Sequence, residues 1–262
     1  MSHPNTSLSV RVDVTNPGKF FACCGLLEVA HRLWRQGGVE GWFADGQFSL
    51  ARNDGQPAAM DELVNAAMAC EAQAVPIDDP KTDPIQLGDP IGIRLDWWRR
   101  RDGSTNLFKT WAANATSLQM FTKWQKSLRR ALAITKCQPE EMLSVSDRVQ
   151  GSYGFDSDLG WDSLTVGFSL NEHAGLKKLP TRPAVELFGA IGLQRFFPNF
   201  DERAQVVRYW TWHMPLTAPV ARVAALGLVP SVALHQLRTR FVYRGSFKGL
   251  DTATIVQGDI DE

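Results

Sequence analysis

One segment of the chain, residues 19–35, constrains the fold more than any other. Its apolar residues recur with helical periodicity and, at about 100° per residue, cover most of the helix circumference. Only Gly25, Glu28 and Arg32 form a narrow polar stripe. Since a helix that is apolar on most sides is buried, we predict that this helix lies at the centre of a core.

The segments around this helix predict a β-α-β-β-α-β order. Alternating apolar and polar residues indicate strands, and Asp45-Gly46 is a strong hairpin signal between two of them. The expected strands are residues 8–14, 40–44, 47–51, 85–87 and 91–97, and the second helix is 60–70. This order is typical of the ferredoxin-like, or split βαβ, unit. We therefore predict an α+β fold with an N-terminal ferredoxin-like βαββαβ domain over residues 1–98.

The rest of the chain is predicted to form a basic segment and a second α+β portion. Residues 99–146 combine a polar loop with a basic helix that begins near Ser117 and ends near Ile134. Residues 147–262 form the second portion, packed on the first. Its expected strands are 148–155, 164–170, 206–213 and 238–247, and its expected helices are 182–196 and 218–226.

The distribution of charge matters more than the total. The chain has 28 basic and 28 acidic residues, and a net charge of zero argues against a simple polybasic nucleic-acid binder. However, residues 94–136 hold 10 basic and 2 acidic residues, and residues 203–248 hold 7 basic and no acidic residues. Blocks as basic as these are typical of nucleic-acid-binding proteins.

The first basic block interleaves cations with aromatic residues. This composition suits a single strand, whose bases stack on rings while its phosphates contact the charges. The alternative is a solvated helix face and a loop that balance the acidic segment before them. The predicted binding residues in this block are Trp98, Arg99, Arg100, Arg101, Asn106, Lys109, Lys123, Lys126 and Arg130.

The second basic block places cations on two predicted strands. Arg208, Trp210 and Trp212 alternate along one strand, and Arg238, Arg240 and Arg244 alternate along the other. In one interpretation, these residues form a single basic face of one sheet. The alternative is that the tryptophans face the core and the arginines line a rim. A period of two does not decide which face is solvated, so both interpretations stay open.

The sequence contains no recognisable catalytic constellation. The five histidines are scattered, and no pair is spaced by three or four residues. His213 and His235 are the candidates for acid–base chemistry in a metal-independent ribonuclease. Asp156, Asp158 and Asp162 lack the spacing of a calcium loop, and no phosphate-binding glycine-rich motif occurs. We expect no catalytic residue, no metal and no cofactor.

Cysteine spacing and hydropathy bear on the compartment. The four cysteines have no metal-ligand spacing and suit reduced, mostly buried thiols. No run resembles a signal peptide, and no stretch of about 18 apolar residues occurs. We therefore expect a cytoplasmic protein that does not contact a membrane.

The run from Val12 to Leu33, VDVTNPGKFFACCGLLEVAHRL, resembles the start of a CRISPR-associated family. This family is the large subunit of type I-U (I-G) interference complexes. The resemblance implies a non-catalytic subunit of a surveillance complex that binds guide RNA, target double-stranded DNA and other CRISPR effector subunits. It also implies that the protein helps bind the guide 5′ handle and the target flanking motif, and helps recruit a helicase-nuclease in trans.

Two further interpretations stay open. One is an enzyme that processes CRISPR RNA without a metal ion through His213 or His235. The other is a structural adaptor whose basic blocks contact acidic protein surfaces.

Overall fold

The computed structural model describes residues 8–111, 115–149, 152–158, 180–244 and 247–256, and within these ranges the fold is mixed α+β. The helices are α1 (Pro17–Leu33), α2 (Met60–Ala69), α3 (Ser117–Ile134), α4 (Pro183–Arg195) and α5 (Ala218–Ala225). The strands are β1 (Leu8–Arg11), β2 (Val39–Ala44), β3 (Gln47–Arg52), β4 (Ala72–Ala74), β5 (Ile85–Leu87), β6 (Arg94–Leu95), β7 (Asp147–Arg148), β8 (Pro180–Thr181), β9 (Asn199–Asp201), β10 (Val206–Trp212), β11 (Leu216–Thr217), β12 (Ala233–Arg244), β13 (Phe247–Leu250) and β14 (Thr254–Val256).

Helix α1 is buried, as its apolar circumference predicts. The Asn16 side chain caps it by accepting a hydrogen bond from Lys19 N at 3.3 Å, and Pro17 occupies the first turn. α1 packs directly on α4 because glycines let the two backbones approach. A Cβ atom on Gly25 would lie 1.9 Å from the Phe188 carbonyl oxygen, and one on Gly192 would lie 2.0 Å from the Phe21 carbonyl oxygen.

The N-terminal sheet is antiparallel, with strand order β1-β3-β2-β11. The hairpin between β2 and β3 forms where predicted, since Asp45 (φ 50°) and Gly46 (φ 71°) both take the left-handed conformation of a tight hairpin turn. The first three strands have the order that a split βαβ unit requires.

The complete ferredoxin-like unit is not confirmed. β4, which follows α2, belongs to a separate small sheet with the order β4-β5-β6, and α3 packs against α2 and β4. The outer edge beside β2 is taken by β11, from the C-terminal portion. The predicted strand 91–97 shortens to β6 because a turn at Gly92 (φ 55°) precedes it.

The C-terminal sheet has the order β13-β12-β10-β9, and β14 runs along β12. Its inner face is buried through Val207, Tyr209, Leu237 and Phe241. The predicted strand 148–155 is reduced to the short β7, and the predicted strand 164–170 lies outside the described residues.

Aromatic residues from distant segments join the three predicted portions into one core. Phe20 of α1 stacks on Tyr209 of β10 with ring centroids 4.3 Å apart, and Trp97 contacts Phe155 at 5.4 Å. Cys23 and Cys24 are free thiols within this core, and burial raises the pKa of each. No helix in the described ranges is long and apolar enough to cross a bilayer.

Candidate nucleic-acid interface

The outer face of the C-terminal sheet carries a row of polar side chains. Asn199 on β9 pairs with Arg208 on β10, Arg208 pairs with Arg238 on β12, and Arg238 pairs with Thr254 on β14. Neighbouring strands are about 4.8 Å apart, so the row extends roughly 14 Å across the sheet. We call Arg208, Arg238 and Arg240 of this sheet the arginine face.

The arginine face combines features of the two alternatives for the second basic block: its arginines lie on the outer side of the sheet, while Trp212 lies in the core. Side chains on the inner face of β10, Val207 and Tyr209 among them, are buried. The arginines occupy the alternate positions, so their side chains lie on the solvent side of the sheet. Within the described residues, no hydrogen bond or ion pair engages the side chain of Arg208 or Arg238, although the charge of Arg208 acts on the nearby carboxylate of Asp201. Arg240 has 74% of its side chain exposed and lies 3.9 Å from Asp251, a pairing that water screens.

The tryptophans of this block behave differently from each other. Trp210 lies in the outer register, opposite Gln236, but its ring packs so closely on Gly227 that a Cβ there would lie 2.6 Å away. Trp212 faces the core, as the second alternative proposes. An irregularity in the register between Thr211 and Trp212 turns this ring into the core, where its Nε1 donates to Gly41 O at 2.7 Å. Arg244 ends β12, and its side chain lies outside the described part of the chain.

In the first basic block, Trp98 and Asn106 serve the fold. The Trp98 ring is 1% exposed, its Nε1 donates to Thr82 O at 2.7 Å, and Trp97 and Trp111 pack against it edge-on. It therefore presents no ring face to a base. Asn106 donates to Trp97 O at 2.6 Å and accepts from Phe108 N at 2.9 Å, so its amide holds a turn.

The three consecutive arginines have three different environments. Only 9% of the Arg99 side chain is exposed, and it lies 3.4 Å from both Asp78 and Thr82 O. Arg100 pairs with Glu202 and donates to Thr105 O at 2.5 Å. Arg101 is exposed, and no described residue bonds to its side chain. The Arg100–Glu202 pair brings the loop of Arg101 to the β9 edge of the sheet that carries the arginine face.

The cations of α3 and its surroundings are mostly engaged. Lys109 donates to Trp111 O at 2.6 Å, and Lys123 lies 4.4 Å over the Trp124 ring; burial lowers the pKa of both lysines. Arg130 pairs with Asp147. Lys126 is exposed. Among the described residues, no hydrogen bond or ion pair engages Lys126, and the structure does not bring this group together with the arginine face.

The candidate acid–base residues do not form a constellation in the described part of the chain. His213 is exposed after β10, and His235 is half-buried on β12 near the same end of the sheet. No described residue donates to or accepts from either imidazole.

Asp156 and Asp158, which lack the spacing of a calcium loop, contact cationic side chains of the protein itself. Asp156 is buried and accepts from Asn16 at 2.7 Å and from Arg182 at 3.0 Å, while Asp158 pairs with Lys19 and Arg182 at 2.7 and 2.8 Å. Asp162 lies outside the described residues. Among those that are described, no group of three or more histidine, cysteine or acidic side chains could hold a metal ion.

One charged cluster was not predicted from the sequence. Glu28 is fully buried in α1, and three arginines converge on it from the last turns of α1, α4 and α5. We call it the Glu28 cluster: Glu28, Arg32, Arg195 and Arg222. Burial raises the pKa of Glu28, but the hydrogen bonds and charges of Arg32 and Arg222 outweigh burial and hold it below its ordinary value. Since the arginines are far apart in the chain, no local pattern indicates that they meet.

The resemblance carried by residues 12–33 stays a prediction. Comparison of the chain with protein-family models, with curated protein sequences and with solved structures gave no match.

Proposed function

We propose that this protein is a non-catalytic nucleic-acid-binding subunit of a crRNA-guided type I CRISPR surveillance complex. The observation that carries nucleic-acid binding is the pair Arg208–Arg238, two like charges opposite each other on an open sheet face. The resemblance of residues 12–33 supports the assignment to the complex. In this proposal the protein is cytoplasmic, and its partners are guide RNA, target double-stranded DNA, sister effector subunits and a helicase-nuclease that acts in trans.

The chemistry of the arginine face supports binding to phosphate rather than to a neutral ligand. Guanidinium groups bind phosphate oxygens through charge-assisted, often bidentate hydrogen bonds. Asn199 and Thr254 extend the row with neutral donors on both sides of the two arginines. Such contacts position a nucleic-acid backbone without reading its sequence.

Binding to repeat-derived RNA and to duplex DNA, measured by fluorescence anisotropy at several salt concentrations, tests the arginine face. The double variant Arg208→Gln/Arg238→Gln should lose about two phosphate contacts. Its log–log salt slope should then fall by about 1.4 for a single strand or about 1.8 for a duplex. The matched control is Arg203→Gln, which removes an exposed arginine from the turn before β10. An unchanged affinity and slope in the double variant would overturn the proposal.

Assembly and catalysis need a separate experiment. The protein expressed with sister subunits and a CRISPR array should co-purify with an RNA of defined length. The purified chain should leave repeat RNA intact in the presence of a chelator. Cleavage that disappears in His213→Ala or His235→Ala would replace this proposal with a metal-independent ribonuclease. Co-purification with sister subunits that survives nuclease and high salt, without RNA, would favour a structural adaptor.

A further inference from the structure

The Glu28 cluster contains three guanidinium groups and one carboxylate, so it carries excess positive charge. Arg32 Nε donates to Glu28 Oε1 at 2.6 Å, and Arg222 Nη2 pairs with Oε2, so both oxygens already have a partner. Arg195 Nε lies 3.6 Å from Oε1, beyond hydrogen-bonding distance. The third guanidinium is therefore an ion-pair partner of Glu28 that makes no hydrogen bond to it.

The donors of this cluster are unequally used. Arg32 uses two of its three guanidinium nitrogens in the fold, since its Nη1 also donates to Ile91 O at 2.7 Å and Gly92 O at 2.9 Å. Arg195 donates no hydrogen bond to any described residue, and 40% of its side chain is exposed to solvent. Arg222 has a buried Nε with no hydrogen-bond partner within the described residues. A buried donor without an acceptor costs free energy, so an acceptor at this place would be stabilising.

The helix ends do not account for these donors. Arg195 and Arg222 each lie in the last turn of a helix, where the partial negative charge of the backbone favours a cation. However, neither side chain donates to a described backbone carbonyl group. Asp96 lies near Arg195 but is held by Arg94 and by the Gln194 amide. The guanidinium groups therefore keep donors for an external anion.

We infer that a phosphate group binds between Arg195 and Arg222, in the Glu28 cluster. The phosphate would accept from the exposed Arg195 fork and from Arg222. These residues are distinct from the arginine face, so the inference goes beyond the proposed function. The phosphate could belong to a nucleic-acid backbone or be free in solution, and both sources share this chemistry.

Inorganic phosphate alone is the first probe. Phosphate should raise the thermal midpoint of the full chain more than chloride does at the same ionic strength, because a ligand that binds only the folded state stabilises it. This difference should be smaller in Arg195→Gln, since the exclusion of phosphate from the protein surface stabilises both chains alike. Arg195→Gln should weaken phosphate binding, measured by calorimetry, about tenfold or more. This variant leaves both Glu28 oxygens paired, and we expect it to fold. Arg195→Lys, which keeps the charge but loses the fork, should weaken binding less than Arg195→Gln, and the control Arg203→Gln should bind as the original chain does.

A short oligonucleotide distinguishes the two sources. If Arg195→Gln also lowers oligonucleotide affinity, the phosphate belongs to a backbone; if only binding of inorganic phosphate is lost, the ligand is free phosphate. The inference is overturned if the original chain shows no effect beyond chloride, or if Arg195→Gln binds phosphate as tightly as the original chain. Since this test uses phosphate and Arg195, phosphate binding can fail while the arginine face still binds nucleic acid. Equally, the arginine face can fail its test while Arg195 still binds phosphate.

Discussion

Arg208 and Arg238 lie directly opposite each other on β10 and β12. In an antiparallel pair, opposite Cβ atoms are about 5 Å apart, and like charges at that distance destabilise the sheet. The inner face of both strands is buried, so the register cannot slip to separate them without exposing Tyr209 and Leu237. The free protein therefore retains an electrostatic cost that a bound polyanion would remove.

Arg238→Gln should have opposite effects on stability and on binding. Removing one of two like charges should stabilise the free protein by about 0.2–1 kcal/mol, measured by urea unfolding at low salt. The same variant should lower nucleic-acid affinity and reduce the salt slope by about 1. Arg203→Gln, outside the pair, should change neither quantity. Lower stability together with unchanged affinity would indicate that Arg238 serves the fold instead.

Trp98 and Arg101 should separate the structural and binding roles within the first basic block. Trp98→Phe loses the hydrogen bond to Thr82 O and part of a packed ring, and we expect a cost of about 1–3 kcal/mol in unfolding free energy. The salt dependence of nucleic-acid binding by Trp98→Phe should equal that of the original chain. Arg101→Gln should leave stability unchanged and lower the salt slope, because Arg101 is exposed and unpaired among the described residues. The reverse pattern would place the interface at the tryptophan.

The contact between α1 and α4 depends on Gly25 and Gly192. An alanine at Gly192 places its Cβ 2.0 Å from Phe21 O and 2.7 Å from Gly25 N, and backbone atoms cannot move aside as a side chain does. We expect a loss of about 3 kcal/mol or more in denaturant unfolding. The matched control is Gly189→Ala on the same helix, where the nearest atom is 3.6 Å away. It should be neutral or slightly stabilising, because alanine favours a helix by up to about 1 kcal/mol over glycine. Equal effects at both positions would contradict this account.

Glu186 should make stability depend on pH. It is buried at the start of α4 and accepts hydrogen bonds from Ser152 Oγ and, at 2.8 Å, from Tyr153 N. Burial, with a smaller contribution from the charge of Asp156, outweighs these hydrogen bonds and raises the pKa of Glu186 to about 7. The folded state therefore holds a proton that the unfolded state releases near pH 4.5. Glu186 therefore contributes to the unfolding free energy in full below that pH. This contribution, on the order of 3 kcal/mol, is lost as the pH rises to about 7.

The variant Glu186→Gln isolates this effect. Its unfolding free energy should change less between pH 5 and pH 8 than that of the original chain, because the side chain no longer ionises. The exposed Glu71→Gln is the control and should keep the original pH profile. Parallel pH profiles for the original chain and Glu186→Gln would show that another group is responsible.

Local patterns predicted the elements whose causes are local. The burial of α1 follows from its apolar circumference, and the β2–β3 turn follows from Asp45-Gly46. α3 begins and ends near the predicted residues, and a reciprocal capping box of Thr116 and Gln119 accounts for its start. These features depend on residues at most a few positions apart, so the sequence alone determines them.

Tertiary structure decided which side chains are accessible. The alternation along β10 and β12 is compatible with either face being buried, and only packing on α1 leaves the arginines in solvent. Arg100 meets Glu202 across 102 positions, and Trp98 is buried against Thr82; neither contact has a local signal. The sequence by itself determined where charge is concentrated and which helix must be buried. Which of those charges is paired, and which face of the sheet stays open, was decided by contacts between distant segments, because pairing depends on distance in space and not on distance along the chain.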